Sequence, residues 1–115
     1  MYTLFLDDER FPFPNTECVV IARNFDQAVK VINDLGIPTK ISFDHDLGND
    51  SQSGKEFLDW LIYWHLEYAH NLATIQEVIV HSANPIGARN IKGLWDNFAD
   101  VYQFGVIAEL RPRLT

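Results

Sequence analysis

Three short apolar runs in this sequence end abruptly in residues that can bind ions or move protons. "LFL" leads into Asp7, Asp8, Glu9 and Arg10, "ISF" into Asp44, His45 and Asp46, and "VIV" into His81, Ser82 and Asn84. Neighbouring carboxylates repel, and a hard divalent cation with oxygen ligands relieves the repulsion, so Asp7, Asp8 and Asp44 predict a Mg²⁺ or Mn²⁺ site if the fold brings them together. Asp46 precedes Gly48 and either joins that ligand set or closes a turn. Histidine titrates near neutrality, so His45 and His81 are candidates for a general base and a general acid; the plainer readings are a solvated loop histidine and a satisfied one at a sheet end. Ser82, Asn84 and the first N–H groups of a helix starting at Pro85 offer hydrogen bonds to an anion, as do the N–H groups around Gly54, with Lys55 and Arg89 as added charge.

These residues work together only if the elements between them form one sheet. Residues 2–6, 18–22, 40–43, 78–81 and 105–110 are β-branched or aromatic runs of strand length. Asn24 and Gln27 have N-cap spacing ahead of Phe25, Ala28, Val29 and Ile32, and Gly36 and Pro38 stop that helix near Leu35. Ser53 and Glu56 have capping-box spacing ahead of a second helix, which carries Phe57, Leu58, Leu61 and Ile62 and ends near His70. Asn84 and Pro85 open a third, which carries Ile91, Leu94, Trp95, Phe98 and Val101 and ends before Phe104. Strand and helix in alternation predict a parallel sheet, in which loops leaving the carboxyl ends of neighbouring strands converge on one crevice. Trp60, Tyr63, Trp64 and Tyr68 go nearly all round the second helix and read chiefly as core, any surplus forming a partner or base-stacking surface. Cys18 reads as a packing residue inside a strand, and His65 and His70 as structural.

Composition narrows the partners. A chain of 115 residues that is 47% hydrophobic is one domain, residues 1–115, with its own core. Sixteen acids against nine bases give a net charge of −7, which disfavours bulk double-stranded nucleic acid, because that grip needs clustered Lys and Arg. No apolar run is long enough to cross a membrane, and a single cysteine fits a disulfide-free, cytoplasmic protein.

"FLDDER", "SFDHDLG" with "SGKEFLDWL", and "HSANPIGARNI" together resemble the cyclic-phosphate processing variant of the response-regulator receiver domain. The resemblance implies an α/β, receiver-like (flavodoxin-like) fold derived from the three-layer form, with a parallel five-stranded sheet in the order 2-1-3-4-5. It matches Asp7 and Asp8 to the acidic pair, Asp44 to the carboxylate after the third strand and Ser82 to the hydroxyl after the fourth. His45, Asp46, His81, Asn84, Gly87 and Asn90 match the variant family's own additions. It also implies a role in processing cyclic phosphates on nucleotides or RNA ends, which together with the ion site expected from the carboxylates reads as a metal-dependent cyclic phosphodiesterase.

Two departures from ordinary receivers bear on function. "GVIAELRPR" lacks the lysine that a phospho-accepting receiver carries at the end of its fifth strand, and Arg111 is a loose substitute. Residues 9–17 are too few for the usual first helix and the sequence stops at Thr115, so the fold should lack its first and last helices and leave a sheet face open to a second copy, with Phe11 and Phe13 as partial cover. Three function classes follow: a metal-assisted phosphoesterase, a non-catalytic receiver-like signalling or binding module, and an acidic interaction protein.

Overall fold

The computed structural model describes residues 2–8, 18–44, 53–68, 72–82 and 84–111. The elements run β1 (Thr3–Leu6), β2 (Val19–Ala22), α1 (Phe25–Leu35), β3 (Lys40–Phe43), α2 (Gly54–Tyr68), a 3₁₀ turn (Leu72–Thr74), β4 (Glu77–Val80), α3 (Pro85–Val101) and β5 (Ala108–Leu110). The strands form one parallel sheet in the order β2-β1-β3-β4-β5, as the resemblance implies.

Local chemistry sets the helix starts where the sequence places them. Asn24 Oδ1 accepts the Gln27 N–H at 2.8 Å, Ser53 Oγ accepts the Glu56 N–H at 3.3 Å, and Asn84 Oδ1 accepts the Gly87 N–H at 2.9 Å with Pro85 in the first turn. Gly36, at φ +83°, ends α1 in a backbone conformation that side chains with a Cβ rarely adopt.

The pleat decides which residues the helices cover. Leu4 and Leu6, Ile41 and Phe43, and Val78 and Val80 alternate onto one face and are buried there with Ala22 and Ala108. Each such aliphatic side chain contributes about 1.5–3 kcal/mol on leaving water. Phe43 meets Phe57 of α2 with ring centroids 6.1 Å apart, and α1 and α3 pack on either side of α2, so the three helices form one layer. Phe57, Leu58 and Leu61, Ala28 and Ile32, and Ile91, Trp95 and Phe98 close the core. His65 is structural: its Nδ1 accepts the Leu72 N–H at 3.2 Å, and its ring meets Phe98, Tyr102 and Phe104 edge-on. Trp60 and Trp64 stack in series on Phe57 and are half-buried, whereas Tyr63 is exposed.

Four strand limits differ from the expectation, the first being β1, which starts at Thr3 rather than at residue 2. β5 is Ala108–Leu110 rather than 105–110, because the preceding backbone bonds to α3: Trp95 Nε1 donates to the Val106 carbonyl at 2.9 Å. At Ala108 itself Asp96 Oδ1 accepts the N–H and Lys92 donates to the carbonyl, both at 2.7 Å. β4 is Glu77–Val80, which puts His81 just beyond the strand. Cys18 lies before β2 and is exposed, so it is not a packing residue; its carbonyl accepts the Thr3 N–H, and the sheet register starts at Val19. The expectations about the missing first and last helices and about Phe11 and Phe13 fall on residues 9–17 and 112–115, outside the described residues.

Candidate metal centre

Leu6, Phe43 and Val80 stand in register on three adjacent strands. The ladder runs one residue further, with the Asp44 N–H bonded to the Leu6 carbonyl and the His81 N–H to the Phe43 carbonyl, both at 2.9 Å. Asp7, Asp44 and His81 therefore form the next row across the sheet. Because the row before them faces the helices, pleating turns their side chains to the opposite face, the one that carries Phe5 and Ser42.

One ligand atom from each of these three residues lies within 4.8 Å of the other two. Asp7 is 0% exposed and Asp44 1%, so both carboxylates are withdrawn from water. His81 Nε2 is 3.0 Å from Asp7 Oδ2, and Nδ1 is 2.6 Å from Ser42 Oγ. The imidazole stacks on Phe5, with centroids 4.8 Å apart and an interplanar angle of 6°. Oδ2 of Asp44 is buried and accepts no hydrogen bond among the described residues, although the residue has other interactions. Two carboxylates and an imidazole nitrogen converging in a buried row suit a divalent cation in both charge and donor type. Arg23, the residue after β2, donates from Nη1 to the Asp7 carbonyl at 3.2 Å and so orders the β1 end from the other side.

The remaining predicted residues fall elsewhere. Asp8 follows Asp7 by one residue, is half-buried and stands outside the clustered three. His45 and Asp46 lie outside the described residues. Ser82 is buried and its Oγ accepts the Asn84 N–H at 3.1 Å, bending the chain into α3. Asn84 is the N-cap of that helix, so its Oδ1 is committed to Gly87. Arg89 and Asn90 are exposed on α3, and Lys55 pairs with Asp59 at 3.2 Å on α2.

Ser82 and Arg89 also line a groove of about 270 Å³ between the ends of β4 and β5 and the first turns of α3, with Val80, Pro85, Ala88, Leu110 and Arg111. Arg111 is not held toward the carboxylates: its guanidinium pairs with Glu109 at 3.2 Å and lies 3.9 Å from Glu77. The sequence reading missed Ser42, Arg23 and the place of His81 in the carboxylate row. Strict alternation along β3 and β4 carries the signal for two of them, since Ser42 shares a pleat phase with Asp44, and His81 with Ile79.

The family model of the cyclic-phosphate processing Receiver domain matches residues 2–97. Among solved structures, the crystal structure of NtrX from Brucella abortus aligns with 99% of this chain at a TM-score of 0.59 and 16% sequence identity. The chain spans 23% of that NtrX chain, and at this identity the likeness carries the fold alone. No curated protein matches the sequence significantly.

Proposed function

This chain belongs to the cyclic-phosphate processing Receiver domain family, and from that premise we propose a metal-assisted phosphoesterase that opens cyclic phosphates on nucleotides or RNA ends. The observation that carries the reading is the row of buried Asp7 and Asp44 with partly buried His81 at the carboxyl edge of β1, β3 and β4. Asp7 and Asp44 would hold a divalent cation through oxygen, with His81 Nε2 as a third donor. That donor set suits Mn²⁺ better than Mg²⁺, which prefers oxygen ligands throughout. When bound, such an ion supplies a Lewis acid for a phosphoryl oxygen and charge stabilisation in the transition state.

The chain's own residues would do the rest. The N-terminal turn of α3 and the Arg89 side chain offer N–H groups to phosphate oxygens, and the apolar floor of the adjoining groove accepts the organic part of the substrate. His45, next to Asp44 in sequence, supplies an imidazole for proton transfer. Water adds across one P–O bond of the cyclic ester, leaving a phosphomonoester and a freed hydroxyl. Against a phosphorelay role stands the side chain after β5, an arginine engaged with Glu109 and Glu77 where a phospho-accepting receiver carries lysine.

The test is ³¹P NMR of nucleoside 2′,3′-cyclic phosphates and cyclic-ended RNA incubated with the full chain and Mn²⁺. Ring opening that is lost with chelator is expected. No ring opening across the panel with either Mn²⁺ or Mg²⁺ overturns the reading and leaves a binding module.

A further inference from the structure

The His81 ring is fixed on three sides, by the face of Phe5, by Asp7 at Nε2 and by Ser42 at Nδ1. Ser42 is 9% exposed and sits on β3, two residues before Asp44, and its hydroxyl stands 2.6 Å from the ring nitrogen. A carboxylate only accepts hydrogen bonds, so the contact with Asp7 places a proton on Nε2; in the neutral ring, Nδ1 then accepts from the Ser42 hydroxyl. A cation can take Nε2 only through its lone pair. Holding an ion therefore requires the other tautomer, in which Nδ1–H donates and Ser42 Oγ accepts. Between the two states the ring keeps one proton: Nε2 gives one to solvent, Nδ1 takes one from solvent, and Ser42 stays a hydroxyl throughout. A hydroxyl can reverse its role to satisfy both states, whereas a methyl group satisfies neither.

We propose that Ser42 is a positioning residue of the ion site, the buried hydroxyl that holds His81 in either tautomer and so lets Nε2 pass from Asp7 to a divalent cation. The inference rests on the ion-binding reading above and adds a residue that touches neither ion nor substrate. Ser42 reaches the site through His81, and its position on the central strand of the sheet keeps the ring oriented as the proton moves.

The experiment compares the wild type with Ser42→Thr, Ser42→Val and Ser42→Ala in the full chain. Thr and Val have the same shape and differ in the hydroxyl, so packing is matched between them. Calorimetric titration with Mn²⁺ should give Thr an affinity near that of the wild type, and Val and Ala affinities ~10–100-fold weaker, the usual cost of losing an outer partner of a ligating histidine. Long-range ¹H–¹⁵N spectra of His81, with Zn²⁺ as a diamagnetic probe, should show Nε2–H in the ion-free wild type and Nδ1–H in the loaded one. Equal affinities for Thr and Val, or an Nε2–H that persists at ion saturation, overturn the role of Ser42 and leave the ion site standing. A wild type that binds no ion overturns both.

Discussion

Replacing Asp44 with asparagine should stabilise the ion-free protein and abolish its response to Mn²⁺. Asp7 and Asp44 are almost wholly buried, and their facing oxygens lie within 4.8 Å of each other. At that limit, with the effective dielectric of about 20 that suits such sites, two unit charges repel by about 3.5 kcal/mol. The amide keeps the carboxylate's shape and removes the charge, at about 1 kcal/mol in weakened hydrogen bonding. The positive edge of His81 beside Asp7 offsets a further part, which leaves a net gain of about 1–2 kcal/mol, or roughly 5–10 °C in Tm for a chain of this length. An ion at 100 times its Kd adds about 2.7 kcal/mol to the wild type and, by this reasoning, nothing to the variant. The order of stabilities should thus invert between chelator and saturating Mn²⁺. Thermal melts of both proteins in chelator and in saturating Mn²⁺ read this directly. An Asp44→Asn protein less stable than wild type in chelator, or one with an undiminished Mn²⁺ shift, refutes the argument, because either result means the carboxylates do not share a repulsive, ion-relieved site.

Three further outcomes follow from the same geometry. His81→Ala should weaken Mn²⁺ binding by at least about tenfold, as measured by calorimetry, since it removes a donor and not only its orientation; unchanged affinity would return His81 to a purely acid–base role. His45→Ala should lower cyclic-phosphate turnover by ~10²–10⁴-fold in steady-state kinetics and leave Mn²⁺ affinity intact, as expected of a proton carrier that is not a ligand. Tyr2 reports on the fold: burial pushes its phenol up to about 12, and its hydroxyl donates to the Gly36 carbonyl. Below pH ~10 both folded and unfolded forms are protonated, whereas between ~10 and ~12 only the unfolded chain gives up the proton, so stability falls there by up to about 1.4 kcal/mol per pH unit. Urea melts of Tyr2→Phe should lack that slope, and an identical alkaline slope in the variant would mean that other groups cause it.

Most of the architecture was legible because local signals agree with one another. Asn24, Ser53 and Asn84 each stand where a helix begins, and the apolar residues behind them recur at helical spacing. The parallel sheet followed from alternation of strand and helix, while its order rested on the resemblance. Strand ends were harder. A run such as "GVIAEL" has strand composition throughout, but Trp95, Lys92 and Asp96 take backbone groups of Val106 and Ala108, and only tertiary structure reveals that competition. The site was legible as three strand ends and not as a row. Treating Asp7 and Asp8 as a pair ignored the pleat, which turns successive residues to opposite faces. Counting by twos from Phe5, Ser42 and Ile79 assigns Asp7, Asp44 and His81 to one face, with Ser42 on that face one step earlier. What alternation alone cannot give is register, since it takes the Leu6, Phe43 and Val80 alignment to bring the three into one row.

The row also changes how the chemistry must be divided. A histidine that acts as general base needs a free ring lone pair, and one that acts as general acid needs an N–H aimed at the leaving oxygen. His81 has one nitrogen on Asp7 and the other on Ser42, so neither faces an empty space where a substrate oxygen would sit. Its geometry is that of a ligand and its orienting partner. An acid–base pair of His45 and His81 would require a His81 nitrogen to turn from Asp7 or Ser42 toward a substrate oxygen, a rotation that the ring's stacking on Phe5 resists. On the proposed reading a single proton-carrying imidazole, His45, would remain, beside an ion whose charge would lower the barrier to water attack without a second histidine.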